Sequence, residues 1–214
     1  IDELKGDEHI LKIRENLNKI QDSNKKEILR NISSKISYII ENVDKIERVF
    51  DIIFKMAKDN DTYICLYVEV CICILKHDIF YDKRLASDIF MNLLWREYLN
   101  SLKEPTLKEN ENMIKFMIHF YKFKILKRKF VEKIINDLFD VIEQSLEVSH
   151  DGEQYFKEQE CIRLLQIILI TIKNDFEHEL NSKYYDRIIE LQKPEYNVKP
   201  RLQFMVQDYI DMFN

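Results

Sequence analysis

Glycine and proline are scarce: Gly6, Gly152, Pro105, Pro194 and Pro200 are all that the 214 residues hold. Tight β-turns and phosphate-cradling loops depend on those residues. Their near-absence argues against a many-stranded sandwich, a Rossmann domain and a P-loop ATPase. Cysteine is limited to Cys65, Cys71, Cys73 and Cys161, each within an apolar stretch of a chain too large to need disulfide staples. These read as buried free thiols in a reducing compartment. The C-x-C at Cys71 and Cys73 lacks a second pair of ligands at zinc spacing, and residues two apart on a helix face different ways. No metal or cofactor is assigned. Long apolar runs are lacking as well. The longest candidates, 63–75 and 162–172, are interrupted by Glu69, Arg163 and Gln166, so no membrane span is expected. Ile1-Asp2-Glu3-Leu4-Lys5 has no basic start followed by a hydrophobic stretch, and the expected location is cytoplasmic.

Catalytic patterns are missing too. His9, His77, His119, His150 and His178 form no H-x-x-x-H or H-x-H pair. The acidic pairs Asp59 with Asp61 and Asp208 with Asp211 read as helix capping or a solvated face. No G-x-S-x-G, H-E-x-x-H, EF-hand or GxxxxGK[ST] run occurs. General acid–base or nucleophilic catalysis needs groups fixed together in a cleft, and here the candidates are scattered. The chain is read as a non-enzyme.

What is present is helical periodicity. The composition, 46% hydrophobic and 33% charged, is that of a globular protein, and 33 Lys and Arg against 38 Asp and Glu give a formal charge of -5. Nothing in that total demands nucleic acid, although a basic patch can sit inside an acidic whole. Ile10, Ile13, Leu17 and Ile20 recur at steps of three or four, as do Ile28, Ile32, Ile36, Ile39 and Ile40. Val49, Ile52, Ile53 and Met56 continue the pattern up to the polar tetrad Asp59-Asn60-Asp61-Thr62. The spacing predicts helices over 9–20, 25–42, 45–58, 62–77, 82–102, 111–125, 128–147, 155–174, 179–192 and 199–213. Five hairpins in 214 residues is about 43 residues each, within the roughly 40–47 of HEAT or armadillo repeats. The expected fold is all-α, an α-α superhelix (solenoid) of about five HEAT-like helical hairpins, with a compact helical bundle as the alternative. One domain spanning 1–214 is expected.

The densest charge is Lys115, Lys122, Lys124, Lys127, Arg128, Lys129 and Lys133, interleaved with Phe116, Phe120, Tyr121, Phe123 and Phe130. Two readings stand. Helical spacing puts Phe116, Phe120 and Phe123 on one face as core with a solvated basic rim, whereas basic-plus-aromatic composition also suits RNA. The RNA reading assigns Lys122, Lys124, Lys127, Arg128, Lys129 and Lys133.

Five segments, in order, resemble the middle domain of translation initiation factor 4 gamma, the scaffold of the cap-binding complex. Arg14-Glu15-Asn16-Leu17-Asn18-Lys19-Ile20 is similar to R-x-x-L-N-K-L, Val49 through Ala57 to V-I-D-L-I-F-E-K-A, and Tyr67 through Ile74 to Y-A-N-M-C-R-C-L. Ile114-Lys115-Phe116 followed by Phe123-Lys124-Ile125-Leu126 is similar to I-K-F-I-G-E-L-F-K-L-K-M-L. Arg201 through Met212 resembles R-I-R-F-M-L-Q-D-V-L-D-L. Polar Asn18, Lys19, Asp51, Lys115, Gln207 and Asp208 are kept. The family's charged insertion is reduced to residues 101–107, Ile118 replaces a glycine, and the T-I-G-K-D-L run is Thr171-Ile172-Lys173-Asn174-Asp175-Phe176.

The resemblance implies five HEAT repeats and a scaffold that docks the DEAD-box RNA helicase initiation factor 4A, one lobe on the N-terminal repeats and the other on the C-terminal repeats. For the first lobe it suggests Asn18, Lys19, Phe54, Lys58 and Asp59; for the second, Lys199, Arg201, Phe204 and Asp208. It further implies contact with mRNA and other initiation factors, for which 122–133 is the natural segment. Related middle-domain scaffolds in nonsense-mediated decay, nuclear cap binding or splicing are the alternative, as is a HEAT domain that binds RNA first.

Overall fold

The computed structural model describes residues 2–76, 85–103, 108–147, 161–166, 169, 178–191 and 200–211. Among these the fold is all-α, with helical hairpins stacked in solenoid fashion and no strand. The contacts fall into two compact units, Ile1–Ser101 and Leu102–Asn214.

The first unit contains α1 (Asp2–Leu17), α2 (Lys25–Ile36), α3 (Val43–Asp59), a short 3-10 turn (Asp61–Tyr63), α4 (Ile64–Lys76) and most of α5 (Leu85–Lys103). Helix α1 packs on α2 and α3, α2 on α4, and α3 on α4, so odd and even helices form two layers. The aromatic cluster Phe50, Phe54 and Phe90 joins α3 to α5, with Phe90 lying 5.2 Å from Phe50 and 5.9 Å from Phe54 between ring centroids. Ile13, Ile32, Val49, Ile53, Val68 and Ile74 are completely buried in the same unit.

The repeat is visible in the ion pairs. Arg48 bonds Asp7 at 2.6 Å, 41 residues away; Lys25 bonds Glu69 at 2.9 Å, 44 away; Arg96 bonds Asp51 at 2.9 Å, 45 away. Lys58 pairs with Glu97 39 residues on. These separations bracket the hairpin length expected from the sequence. Each links a helix to its counterpart one hairpin later. Arg48–Asp7 and Arg96–Asp51 are exposed and contribute about 0–1 kcal/mol each, while Lys25–Glu69 and Lys58–Glu97 are part-buried; burial of the apolar stripes holds the stack and the charges mark its register.

Asparagine does the work that glycine and proline do elsewhere. Asn42 accepts a hydrogen bond from Lys45 N at 3.0 Å and caps α3; Asn60 accepts one from Thr62 N at 3.0 Å. Asn24 accepts from Gln21 N and donates to Lys19 O, both at 2.8 Å, fixing the turn before α2. Helix α2 ends at Ile36 and not at 42, because Tyr38 N and Ile39 N turn back onto Lys35 O and Ile36 O in 3-10 fashion. The Asn42 cap then starts α3.

In the second unit are α6 (Lys108–Lys122), α7 (Arg128–Glu147), a helical stretch at 161–166, α8 (His178–Glu190) and α9 (Pro200–Asp211). The layering repeats. Arg163 pairs with Glu111 of α6, and Gln166 Nε2 donates to Met205 O of α9 at 3.2 Å. Tyr184 of α8 stacks on Phe139 of α7 at 5.9 Å, and Arg187 lies 4.4 Å above the same ring. Helix α6 begins at Lys108, three residues before the sequence-based boundary. Asn110, which falls before that boundary, is buried helix together with Glu111 and Asn112.

Candidate functional site

The carboxyl ends of α1 and α3 enclose a cavity of about 270 Å³, lined by residues of the two helices, by the turns that follow them and by the start of α4. Leu17, Ile20 and Met56 form its apolar wall, and Asn18, Gln21, Asp59, Asn60, Tyr63 and Tyr67 supply its polar groups. Of the residues assigned from the sequence to one helicase lobe, Asn18 and Asp59 therefore meet in one place. Lys19 is exposed on the turn beside them. Lys58 is half-buried and pairs with Glu97, so its charge is turned along the stack.

Phe54 requires correction. It is 2% exposed, wedged between Phe50 and Phe90, and offers no surface to a partner. The sequence places it on α3 four residues after Phe50, and that spacing puts both rings on the buried face.

On α9, Val206 and Ile210 face inward, while Arg201, Phe204 and Asp208 are exposed at steps of three and four and so share the outer face. Phe204 is 71% exposed. It borders a shallow depression of about 430 Å³ with Pro200, Gln203 and Gln207. Lys199 lies outside the described residues.

The basic segment forms the α6–α7 turn. Lys124 has φ 59, the left-handed region. Ile125 N donates to Phe120 O at 3.0 Å and Lys124 N to Tyr121 O at 2.8 Å, the paired bonds of a Schellman motif with lysine where glycine is usual. Because α6 stops at Lys122, Phe123 leaves the face it would share with Phe116 and Phe120; those two are fully buried, and Phe123 is 48% exposed. Lys122, Lys124, Lys127 and Arg128 rim a concavity of about 370 Å³ with Tyr121 and Leu126. Lys129 is exposed next to it. Arg128 bonds Glu132 at 3.0 Å and Lys133 bonds Asp137 at 2.9 Å, so two of the six assigned cations are locally neutralised.

Composition and periodicity gave no sign of two further features. Tyr67, within an apolar helix, carries a hydroxyl to the α1–α3 cavity. Glu111 lies 3% exposed among Lys115 at 2.7 Å, Lys108 at 3.5 Å and Arg163. Burial pushes its carboxyl up, but the hydrogen bonds and charges of Lys115 and Arg163 outweigh that and hold it down at about 2. Among the described residues no group of His, Cys, Asp and Glu is arranged to hold a metal ion. Cys71 and Cys161 are buried, and burial drives the Cys71 thiol well up; Cys65, on the outer side of α4, is exposed. No described helix is long and apolar enough to cross a membrane.

No protein-family model matches the chain, and no curated protein matches it.

Proposed function

We propose that this chain is a translation-initiation scaffold domain of the initiation factor 4 gamma middle-domain type, binding the DEAD-box RNA helicase initiation factor 4A. The observation that carries the reading is the run of five similar segments in one order, over 14–20, 49–57, 67–74, 114–126 and 201–212. Its polar positions divide into two kinds. Asp51, Lys115 and Gln207 are engaged: Asp51 by Arg96 of α5, Lys115 by Glu111 within α6 and Gln207 by Asp211 within α9. Asn18, Lys19 and Asp208 are exposed and hold no ion pair among the described residues, so packing does not account for them. A scaffold that grips two helicase lobes at once raises the population of the lobe arrangement it fits, and changes ATP turnover without supplying a catalytic group. The chemistry stays in the helicase.

Reversing two charges on the outer face of α9, Arg201→Glu with Asp208→Lys, tests the reading. Titration with the helicase will give affinity weakened about tenfold or more, with the far-ultraviolet circular dichroism unchanged. Unchanged affinity removes α9 from the docking surface.

A specific observation favours RNA as a second ligand. Lysine at φ 59 is held in a conformation that costs about 1 kcal/mol more than glycine would, and strain of this kind concentrates at functional sites. Lys122, Lys127 and Lys129 stand around Lys124, all four without ion-pair partners among the described residues, beside exposed Phe123, as phosphate-tracking and base-stacking require. Lys124→Gly will raise unfolding stability by up to about 1 kcal/mol and lower the slope of log affinity for single-stranded RNA against log salt by about 0.7. An unchanged slope excludes Lys124 as a phosphate contact.

A further inference from the structure

The α1–α3 cavity holds hydrogen-bonding groups that the fold itself does not use. Tyr67 is 3% exposed, yet its hydroxyl has no hydrogen-bond partner among the described residues and is not enclosed, so it opens into the cavity it lines. Asp59, exposed at the rim of the cavity, is a second group without a partner among the described residues. It is the last residue of α3, where the helix already presents unsatisfied carbonyl oxygens and a carboxylate is disfavoured. No described cation pairs with it: Lys58 is engaged with Glu97, and Lys19 does not line the cavity. Tyr67 and Asp59 line the same cavity, and burial first, then the neighbouring Tyr63 and Asp59, push the Tyr67 phenol up.

The cavity is small and half open to solvent. Drug-sized molecules occupy roughly 300–1,000 Å³, and about 270 Å³ suits a single side chain. Its acceptors call for a cation, and its apolar wall calls for a long stem that can lie against it. A guanidinium meets both demands better than an ammonium, because its planar fork reaches two acceptors at once, is less strongly hydrated and stacks on aromatic rings such as Tyr63.

We infer that this cavity receives an arginine side chain of the protein docked at this end, its guanidinium donating to the Asp59 carboxylate and the Tyr67 hydroxyl while its stem lies on Leu17, Ile20 and Met56. The inference rests on reading this edge as a protein-docking surface and names the partner chemistry it selects.

The test uses the whole chain and N-acetyl-arginine methylamide as the probe, with the ring signals of Tyr63 and Tyr67 followed by nuclear magnetic resonance. The arginine amide will shift both signals at millimolar concentration. Lysine and norleucine amides at the same concentration will give less than about a third of that shift, in keeping with the geometric preference for the fork. Asp59→Asn will abolish the shift without loss of helical content, and Tyr67→Phe, which keeps the ring packing, will weaken it. An absent shift, an equal shift with the lysine amide, or a full shift in Asp59→Asn overturns the assignment. The helicase is the second arm: Asp59→Asn will lower its affinity at least about tenfold. Arginine-amide shifts in a chain that binds no helicase would keep the cavity assignment and remove the initiation-factor reading. Helicase binding at full strength in Asp59→Asn would do the opposite.

Discussion

Phe54→Ala will destabilise the first unit by about 3–5 kcal/mol in urea unfolding. The ring is 2% exposed and lies 6.2 Å from Phe50 and 5.9 Å from Phe90, so truncation opens a cavity where α3 meets α5. Neighbouring rings locked by their own contacts cannot collapse into it. Phe54→Leu, which keeps most of the volume, will cost about 1–2 kcal/mol. The pair separates core from contact. A docking role predicts lost helicase affinity at unchanged stability, and the packing described here predicts the reverse for the leucine variant.

The second large effect belongs to Glu111 and depends on pH. Its carboxyl is held at about 2 in the folded chain against an ordinary 4.5, so the folded state favours the charged form. The stability this contributes is fully present above pH 4.5 and is lost as pH falls through 4.5 toward 2. Glu111→Gln keeps the shape and removes the charge. At pH 7 it will cost the second unit about 1–3 kcal/mol. The upper end is the full shift. The lower end reflects Arg163 and Lys115, both with side chains partly open to water, which lose less when left unpaired. Urea unfolding of both proteins from pH 7 to pH 2 will show the difference shrinking as the wild-type carboxylate protonates. A difference that is constant with pH would mean that Glu111 contributes through packing alone.

These two residues illustrate what was legible beforehand. Helices and hairpin length follow from apolar residues at steps of three and four, because a stripe that must be buried fixes both the period of the helix and the side that packs. The same logic places Phe54 in the core, four residues from Phe50. Giving it a contact role meant weighing the segment's resemblance above its periodicity. Glu111 was illegible for the converse reason. In sequence, Glu111 stands at the polar start of a helix expected over 111–125, and burial of its carboxylate is made tolerable by Lys115 four residues on and by Arg163 from 52 residues away.

Phe123 shows a third limit. Its spacing matches Phe116 and Phe120, but no local pattern announces that Lys124 adopts a left-handed turn and releases it. Of the residues assigned to docking from the sequence, Asn18 and Asp59 share one cavity, and Arg201, Phe204 and Asp208 share one helix face. Tyr67 was hidden because a hydroxyl in an apolar helix is indistinguishable from core until its surroundings are known.

The central proposal, that this chain is a helicase scaffold, is tested most directly by titrating it into the organism's own DEAD-box initiation helicase while following binding and ATP hydrolysis in the same samples. The account predicts saturable binding with turnover stimulated along the same curve, because one complex produces both signals. A folded, helical chain that neither binds the helicase nor alters its turnover would contradict it.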